Sequence, residues 1–470
     1  MSAAAHPLRP AAVTGPRQAQ QTPAPPLPGI AAQPDVLVIG GGPAGSTAAT
    51  LLARRGWRVT MLEKSRHPRF HIGESLLPMN MPILQRLGAF DKVAAIGVHK
   101  PGADFPADDG SVNTFAFARA FEAKFAHAFQ IKRQDFDKLL FDHAREHGVD
   151  AREATTVERV AFDAAGKPVV HARDADGEQV FQPRYLVDAS GRDAFLGGKL
   201  KIRRKNPKHQ SAAVFSHFSG VTRRDGANGG NISIYRHAHG WMWLIPLPEG
   251  VMSVGAVCYP DYMKTRQGDS EGFLMRTLAT VPEVVARMHG AQRIGDVHVT
   301  GNYAYECTRM SGPNWVLVGD AYAFVDPMFS SGVYLGMHGA ERAAAMIDGA
   351  LREPSRERAL QRALERHLSA GIAEFKWFIY RFTSPTMKYL FAHPRNTLQV
   401  EQAVIGMLAG DVFDNPALRR RLRVFRMLYA LTALRMLPRA LHNRWRRRRQ
   451  AKVGFAGDTL QADKPQADKS

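Results

Sequence analysis

The stretch between Asp35 and Glu63 constrains this chain more than any other. Residues 35–39 read DVLVI, a short apolar run with the β-branched content of a buried strand. GGGPAG follows, with Gly40, Gly42 and Gly45 in G-x-G-x-x-G spacing, and residues 46–55 (STAATLLARR) turn helical. Gly56 ends that helix, and WRVTMLE forms a second strand closing on Glu63. This strand, glycine turn, helix and strand make a dinucleotide-binding unit, and each part has a physical reason. Gly40 permits the tight turn, Gly42 lets the backbone approach a pyrophosphate, and Gly45 lets helix and strand pack closely. The diphosphate would sit on the helix N-terminus, where free N–H groups and the dipole favour anions. Glu63 is placed to accept hydrogen bonds from the adenosine ribose hydroxyls.

Two later segments bear on which dinucleotide. Residues 184–192 (RYLVDASGR) read as a strand running into a small-residue turn, and residues 315–320 (WVLVGD) as a strand ending in Gly319-Asp320. A carboxylate at Asp320 suits the polyol of a flavin's ribityl chain. Arg133, in RQDFDKLL, opens a helix and is either a ligand to a cofactor phosphate or ribose or an ordinary surface charge. Together these segments, spread over residues 35 to about 340, resemble the FAD-dependent monooxygenase superfamily of aromatic hydroxylases, geranylgeranyl reductases and flavin-dependent halogenases. The resemblance implies FAD as cofactor and an α/β fold: a Rossmann-like FAD-binding domain interleaved with a β-sheet substrate domain, plus a C-terminal helical region. The expected limits are a disordered Ala/Pro-rich leader over 1–33, the FAD-binding domain over 34–340 with the substrate domain at about 200–305, a helical, Arg-rich region over 341–456, and a disordered tail over 457–470. A second G-x-G-x-x-G after a strand is missing, so reduced FAD is expected from a separate flavin reductase.

Three segments point within that superfamily to the halogenases. Trp241-Met242-Trp243-Leu244-Ile245-Pro246 is similar to their W-x-W-x-I-P signature. Aromatics two residues apart on a strand share a face, so Trp241 and Trp243 form either a wall separating substrate from flavin or an ordinary core face. Residues 324–332 (FVDPMFSSG) resemble the F-x-x-P-x-x-S-x-G motif, whose small turn offers consecutive amides to a small anion. By that resemblance, the amides of Ser331 and Gly332 hold the halide. Lys100, in GVHKPGADF downstream of FHIGESLLP (residues 70–78), matches the lysine that halogenases place between flavin and substrate. Its implied role is to aim hypohalous acid, as an ammonium donor or as a neutral amine that carries the halogen, the latter requiring a pKa lowered by burial. A hydroxylase and a geranylgeranyl-reductase-like enzyme are the rival chemistries, and a silent flavoprotein that acts by docking is a third reading.

One position departs from the tryptophan-type members, which place a glutamate immediately before the paired small residues of this motif. This chain has Phe329 there. A phenyl ring takes no proton, so a phenol- or pyrrole-like substrate is expected rather than free tryptophan.

Charge adds a partner question. The formal net charge is +20, and the run that starts at Arg419 and passes Arg449 to reach Lys452 holds twelve arginines and one lysine with no acid. Charge confined to one tail does not read as nucleic-acid binding. The readings are an acidic carrier protein presenting a tethered substrate, an anionic membrane surface, or a solvated end. Residues 415–441 carry a helical pattern with Leu418, Leu422, Phe425 and Tyr429 on one stripe. No uncharged run approaches the roughly 20 residues that span a bilayer, so a cytoplasmic protein, peripheral at most at the inner membrane surface, is expected. Cys258 and Cys307 are expected as thiols, and no metal site is read from the sequence.

Overall fold

The computed structural model describes residues 33–107 and 109–436. The leader before residue 33, the arginines beyond residue 436 and the tail at 457–470 lie outside the described residues. The first sheet has six strands in the order Ser311–Gly312, Trp315–Leu317, Tyr185–Asp188, Val36–Ile39, Val59–Leu62 and Asp150–Arg152. Its five strand pairings are parallel except at the Ser311–Gly312 edge, a local hairpin. The central strands are buried on both faces, as parallel strands covered by helices on each side must be. Helices Pro43–Ala53, Arg133–Glu146 and Ser331–Arg352 pack side by side as one such layer. A three-stranded antiparallel sheet (Thr156–Phe162, Pro168–Asp174, Gly177–Phe181) is inserted between Asp150–Arg152 and Tyr185–Asp188.

A nine-stranded sheet forms the second layer, with Arg203–Ser219, Met252–Cys258, Gly240–Pro246 and Ile232–His237 at its centre. It reaches beyond residues 200–305, because Gly102–Pro106, Val112–Ala116 and Ala323–Phe324 also join it. Its pleat separates two cores. One face, with Ala212, Val214, Met242, Leu244, Val254 and Cys258, closes against the helices Ser270–Leu278 and Pro282–Arg287. The other, with Phe215, Trp241, Trp243 and Val257, merges into the core shared with the FAD-type domain and the C-terminal helices. Both cysteines are buried free thiols.

The C-terminal region packs helices Glu357–Ile379, Pro385–Ala392, Val400–Ala409 and Pro416–Arg435 over that second face. Phe375, Phe378, Phe382 and Phe391 are all buried, so this aromatic-rich stretch is core. The helix expected over 415–441 starts at Pro416, capped by Asn415, whose side chain accepts from Leu418 N at 2.9 Å.

Candidate active site

Glu63, just after Val59–Leu62, is buried beside the glycine turn. Its Oε2 accepts from Gly41 N at 2.8 Å and its Oε1 from Ser65 N at 2.9 Å. The three motif glycines do different work. A Cβ on Gly40, at φ +99°, would lie 2.5 Å from Ala189 O, and one on Gly45 would lie 1.9 Å from Gly40 O. Those two are demanded by packing. A Cβ on Gly42 would meet nothing nearer than the Arg69 guanidinium at 3.7 Å. Gly42 therefore faces open space, beside a helix N-terminus whose leading amides have no acceptor within the helix. A diphosphate fits that cradle, with free amides on one side and the Arg69 cation on the other.

Arg133 is the first residue of Arg133–Glu146 and is 6% exposed, so it is not a surface charge. Its Nε and Nη2 donate to the two carboxylate oxygens of Asp137 at 2.8 and 3.0 Å, and its Nη1 donates to Ile72 O at 2.8 Å. Arg69 lies 3.4 Å from the same carboxylate and 3.6 Å from Glu63. Burial alone would raise the Asp137 pKa, but the charge and hydrogen bonds of Arg133, joined by His71 and Arg69, hold it below the usual carboxylate range. Asp320 sits in the Gly319–Ala321 turn. Burial pushes its carboxyl up to about 6, against the opposing pull of Arg192 and Arg133. The turn is brought to the dinucleotide helix by small residues: a Cβ on Gly336 would lie 3.4 Å from the Ala44 Cβ and 3.9 Å from Gly319 Cα.

Lys100 closes the strand Val98–Lys100 and is 1% exposed. Its Nζ donates to Ser75 Oγ at 2.8 Å and to Leu76 O at 2.9 Å, and lies 5.4 Å from the centre of the Phe117 ring. Burial pushes its pKa down to about 7. The GES loop is fixed to the neighbouring strand Ala128–Gln130 and the residue after it by Leu76 N to Phe129 O at 3.0 Å and Ile131 N to Glu74 O at 2.8 Å. One short loop thus gives Ile72 O to Arg133 and Ser75 and Leu76 to Lys100. Its Glu74, 1% exposed, accepts from or shares a proton with His217 Nε2 at 2.9 Å, tying the loop to the large sheet.

Trp241 and Trp243 share one face of Gly240–Pro246, with ring centres 5.8 Å apart, and both are buried. The Trp243 indole donates to Ser253 Oγ at 3.1 Å and packs on Phe215. Gly255 makes room for it, since a Cβ there would lie 2.4 Å from both the indole and the Phe215 Cβ. Among the described residues, the Trp241 Nε1 is a buried donor without a partner. Phe329 is buried edge-on against Phe382, over which the Arg236 guanidinium lies at 4.2 Å; Arg236 is the register partner of Trp241. The next turn begins the helix Ser331–Arg352. Ser330 is left-handed (φ 55°), so it and the helical Ser331 alternate in hand and turn successive amides the same way, the geometry of an anion nest. A Cβ on Gly332 would meet nothing within 4 Å, so the turn is open on that side.

The structure therefore gathers the expected residues into two connected groups. Glu63 and Arg133 are linked through Arg69 and Asp137 beside the glycine turn, and Asp320 lies within reach of the Arg133 charge, while Trp241, Trp243 and Phe329 join through the aromatic core. Lys100 and the Ser331–Gly332 turn share no hydrogen bond. Sequence reasoning missed Arg69, Asp137, Ser75, Glu74 and His217. Only Asp137 carried a readable signal, as the acidic i+4 partner of Arg133 on one helix.

Comparisons with known proteins bear on the family and the fold. The family described as FAD binding domain matches residues 33–372. A tryptophan 2-halogenase from Chondromyces crocatus is 36% identical over 66% of this chain, and the matched stretch spans 60% of that enzyme's length. A 1H-pyrrole-2-carbonyl-[peptidyl-carrier protein] chlorinase from Pseudomonas fluorescens is 29% identical, covering 82% of this chain and 90% of that one. The structure of the myxobacterial chondrochloren halogenase superposes with a TM-score of 0.71 at 30% identity, covering 85% of this chain and 97% of that one. The chain belongs to the flavin-dependent halogenases, within the FAD-binding-domain family. Its cofactor is FAD. Among the described residues, no helix is long and apolar enough to cross a membrane.

Proposed function

We propose that this protein uses reduced FAD, oxygen and halide to halogenate an electron-rich aromatic ring of phenol or pyrrole type. The observation that carries the reading is Lys100, a buried amine held by a hydroxyl and a carbonyl on the loop whose other end is bonded to the cofactor-side Arg133. Bound FAD, once reduced by a separate flavin reductase, supplies the activated oxygen that turns halide into hypohalous acid. Gly40, Gly42, Gly45, Glu63, Arg133 and Asp320 hold the cofactor, and Arg69 adds a cation opposite the Gly42 amide. The Ser331 and Gly332 amides hold the halide. Trp241 and Trp243 exclude water and keep the substrate ring off the flavin. Lys100 donates a hydrogen bond to the oxidant and aims its halogen at the ring carbon.

The Phe329 ring supports the substrate class. It offers no carboxylate to a cationic ring intermediate, so the substrate must be activated enough to lose its proton without that help. The Pseudomonas fluorescens relative acts on a pyrrole tethered to a carrier protein. That relationship favours a carrier-bound substrate here as a second form of the same reading.

Purified protein with FAD, a flavin reductase, NADH and either bromide or chloride should convert phenols or pyrroles, free or carrier-bound, to halogenated products recognised by their isotope doublets. Oxygenated products formed without halide would replace the proposal with a hydroxylase, and hydrogenated ones with a reductase.

A further inference from the structure

The helix Pro416–Arg435 has two apolar faces, and the fold uses one. Leu418, Leu422 and Phe425 are buried, and Tyr429 packs on Trp377. Leu418 fills the space over Gly406, whose added Cβ would lie 2.4 Å from Leu418 Cδ1. At about 100° per residue, these four define one side of the helix. The opposite side carries Arg420, Arg423, Met427, Leu431 and Leu434 within an arc of about 80°. Met427, Leu431 and Leu434 are 57, 53 and 66% exposed. Three large apolar residues at i, i+4 and i+7 are a contiguous patch rather than scattered exposure.

Charge decides what covers this patch. Arg420 and Arg423 border it at one end and Arg435 at the other, all exposed. Arg426, by contrast, points back to Glu374 at 2.6 Å and is already paired. The sequence beyond the helix adds Arg439, Arg444 and Arg446 to Arg449, with Trp445 among them and no acid before residue 452. The border of the patch and the sequence that follows it thus carry charge of one sign. An anionic partner satisfies both. An apolar stripe edged by arginine, followed by a tryptophan within a basic cluster, is the composition that lies in the headgroup layer of an anionic bilayer.

We propose that the outer face of the helix Pro416–Arg435 docks on an anionic lipid surface, with Met427, Leu431 and Leu434 inserted and Arg420, Arg423 and Arg435 on the headgroups. The buried face keeps the helix on the protein, so the contact is peripheral and leaves the active site folded.

The test is co-sedimentation of the FAD-loaded full chain with vesicles of phosphatidylcholine alone or mixed with phosphatidylglycerol. Binding should require phosphatidylglycerol and weaken steeply between low and high salt. The double variant Leu431→Glu, Leu434→Glu should lose at least about tenfold in vesicle affinity while keeping the bound-FAD spectrum and melting temperature. Arg420→Gln with Arg423→Gln should lose less, and only with the anionic vesicles. Equal binding to both vesicle types, no binding, or binding unchanged in the Leu431→Glu, Leu434→Glu variant would overturn the proposal. Binding to an acidic carrier domain that the same variant loses, without any vesicle binding, would reassign the face to a protein partner. Because the readout is binding, it stands apart from whether the chain halogenates.

Discussion

Two buried cations hang from the same loop and are treated in opposite ways. Arg133 takes the Ile72 carbonyl and a fully buried carboxylate, Asp137, through two nitrogens. Lys100, held three and four residues further along the loop, takes only the Ser75 hydroxyl and the Leu76 carbonyl. A paired guanidinium stays charged and fixes geometry, whereas an amine desolvated without a counter-ion has its pKa moved to about 7. Burial alone does not make a cation structural. The presence or absence of one carboxylate separates an anchoring residue from one poised to exchange a proton.

The comparison can be broken most decisively at Lys100. Lys100→Met keeps the volume and removes the amine, so halogenation should fall about a hundred- to a thousandfold, the scale of losing a preorganised donor, with FAD affinity little changed. Substantial halogenation by this variant would remove Lys100 from the chemistry. Asp137→Ala should do the reverse in kind. It leaves Arg133 and Arg69 without their shared carboxylate, so denaturant titration should show a loss of about 3–5 kcal/mol, with weaker FAD retention. A third change tests the aromatic wall: Gly255→Ala places a methyl against Trp243 and Phe215, and should cost about 1–3 kcal/mol by overpacking and shift tryptophan fluorescence.

The smallest effect per step is in pH. The Lys100 pKa is depressed on folding, so the unfolded chain binds more protons between about 7 and its free value near 10.4. Stability should therefore rise with pH across that window by roughly 1.4 kcal/mol per unit relative to Lys100→Met, and the two proteins should run parallel below about pH 6. With the ammonium as donor, halogenation should decline as pH rises through about 7. A rise instead would give the role to the neutral amine as halogen carrier.

Legibility along the chain followed the range of the interactions. The glycine turn, its strands and helix, the stripe of Leu418, Leu422 and Phe425, and the shared face of Trp241 and Trp243 were readable because strand and helix periodicities are local. The Arg133 side chain was not, since its burial depends on Ile72, which lies 61 residues away. Glu74 pairs with His217 across 143 residues, and no spacing announces that.

The class of fold, the glycine turn and the placing of Lys100 after a GES loop were written in the sequence, because glycine turns and strand patterns act over a few residues. Tertiary packing alone settled that Lys100 is buried without a carboxylate beside it, that Arg133 is ion-paired with one, that Phe329 belongs to an aromatic core, and that among the described residues one helix keeps a second apolar face exposed. Those outcomes depend on which distant groups share a desolvated space, and electrostatic energies in such a space are set by neighbours the chain brings from far away.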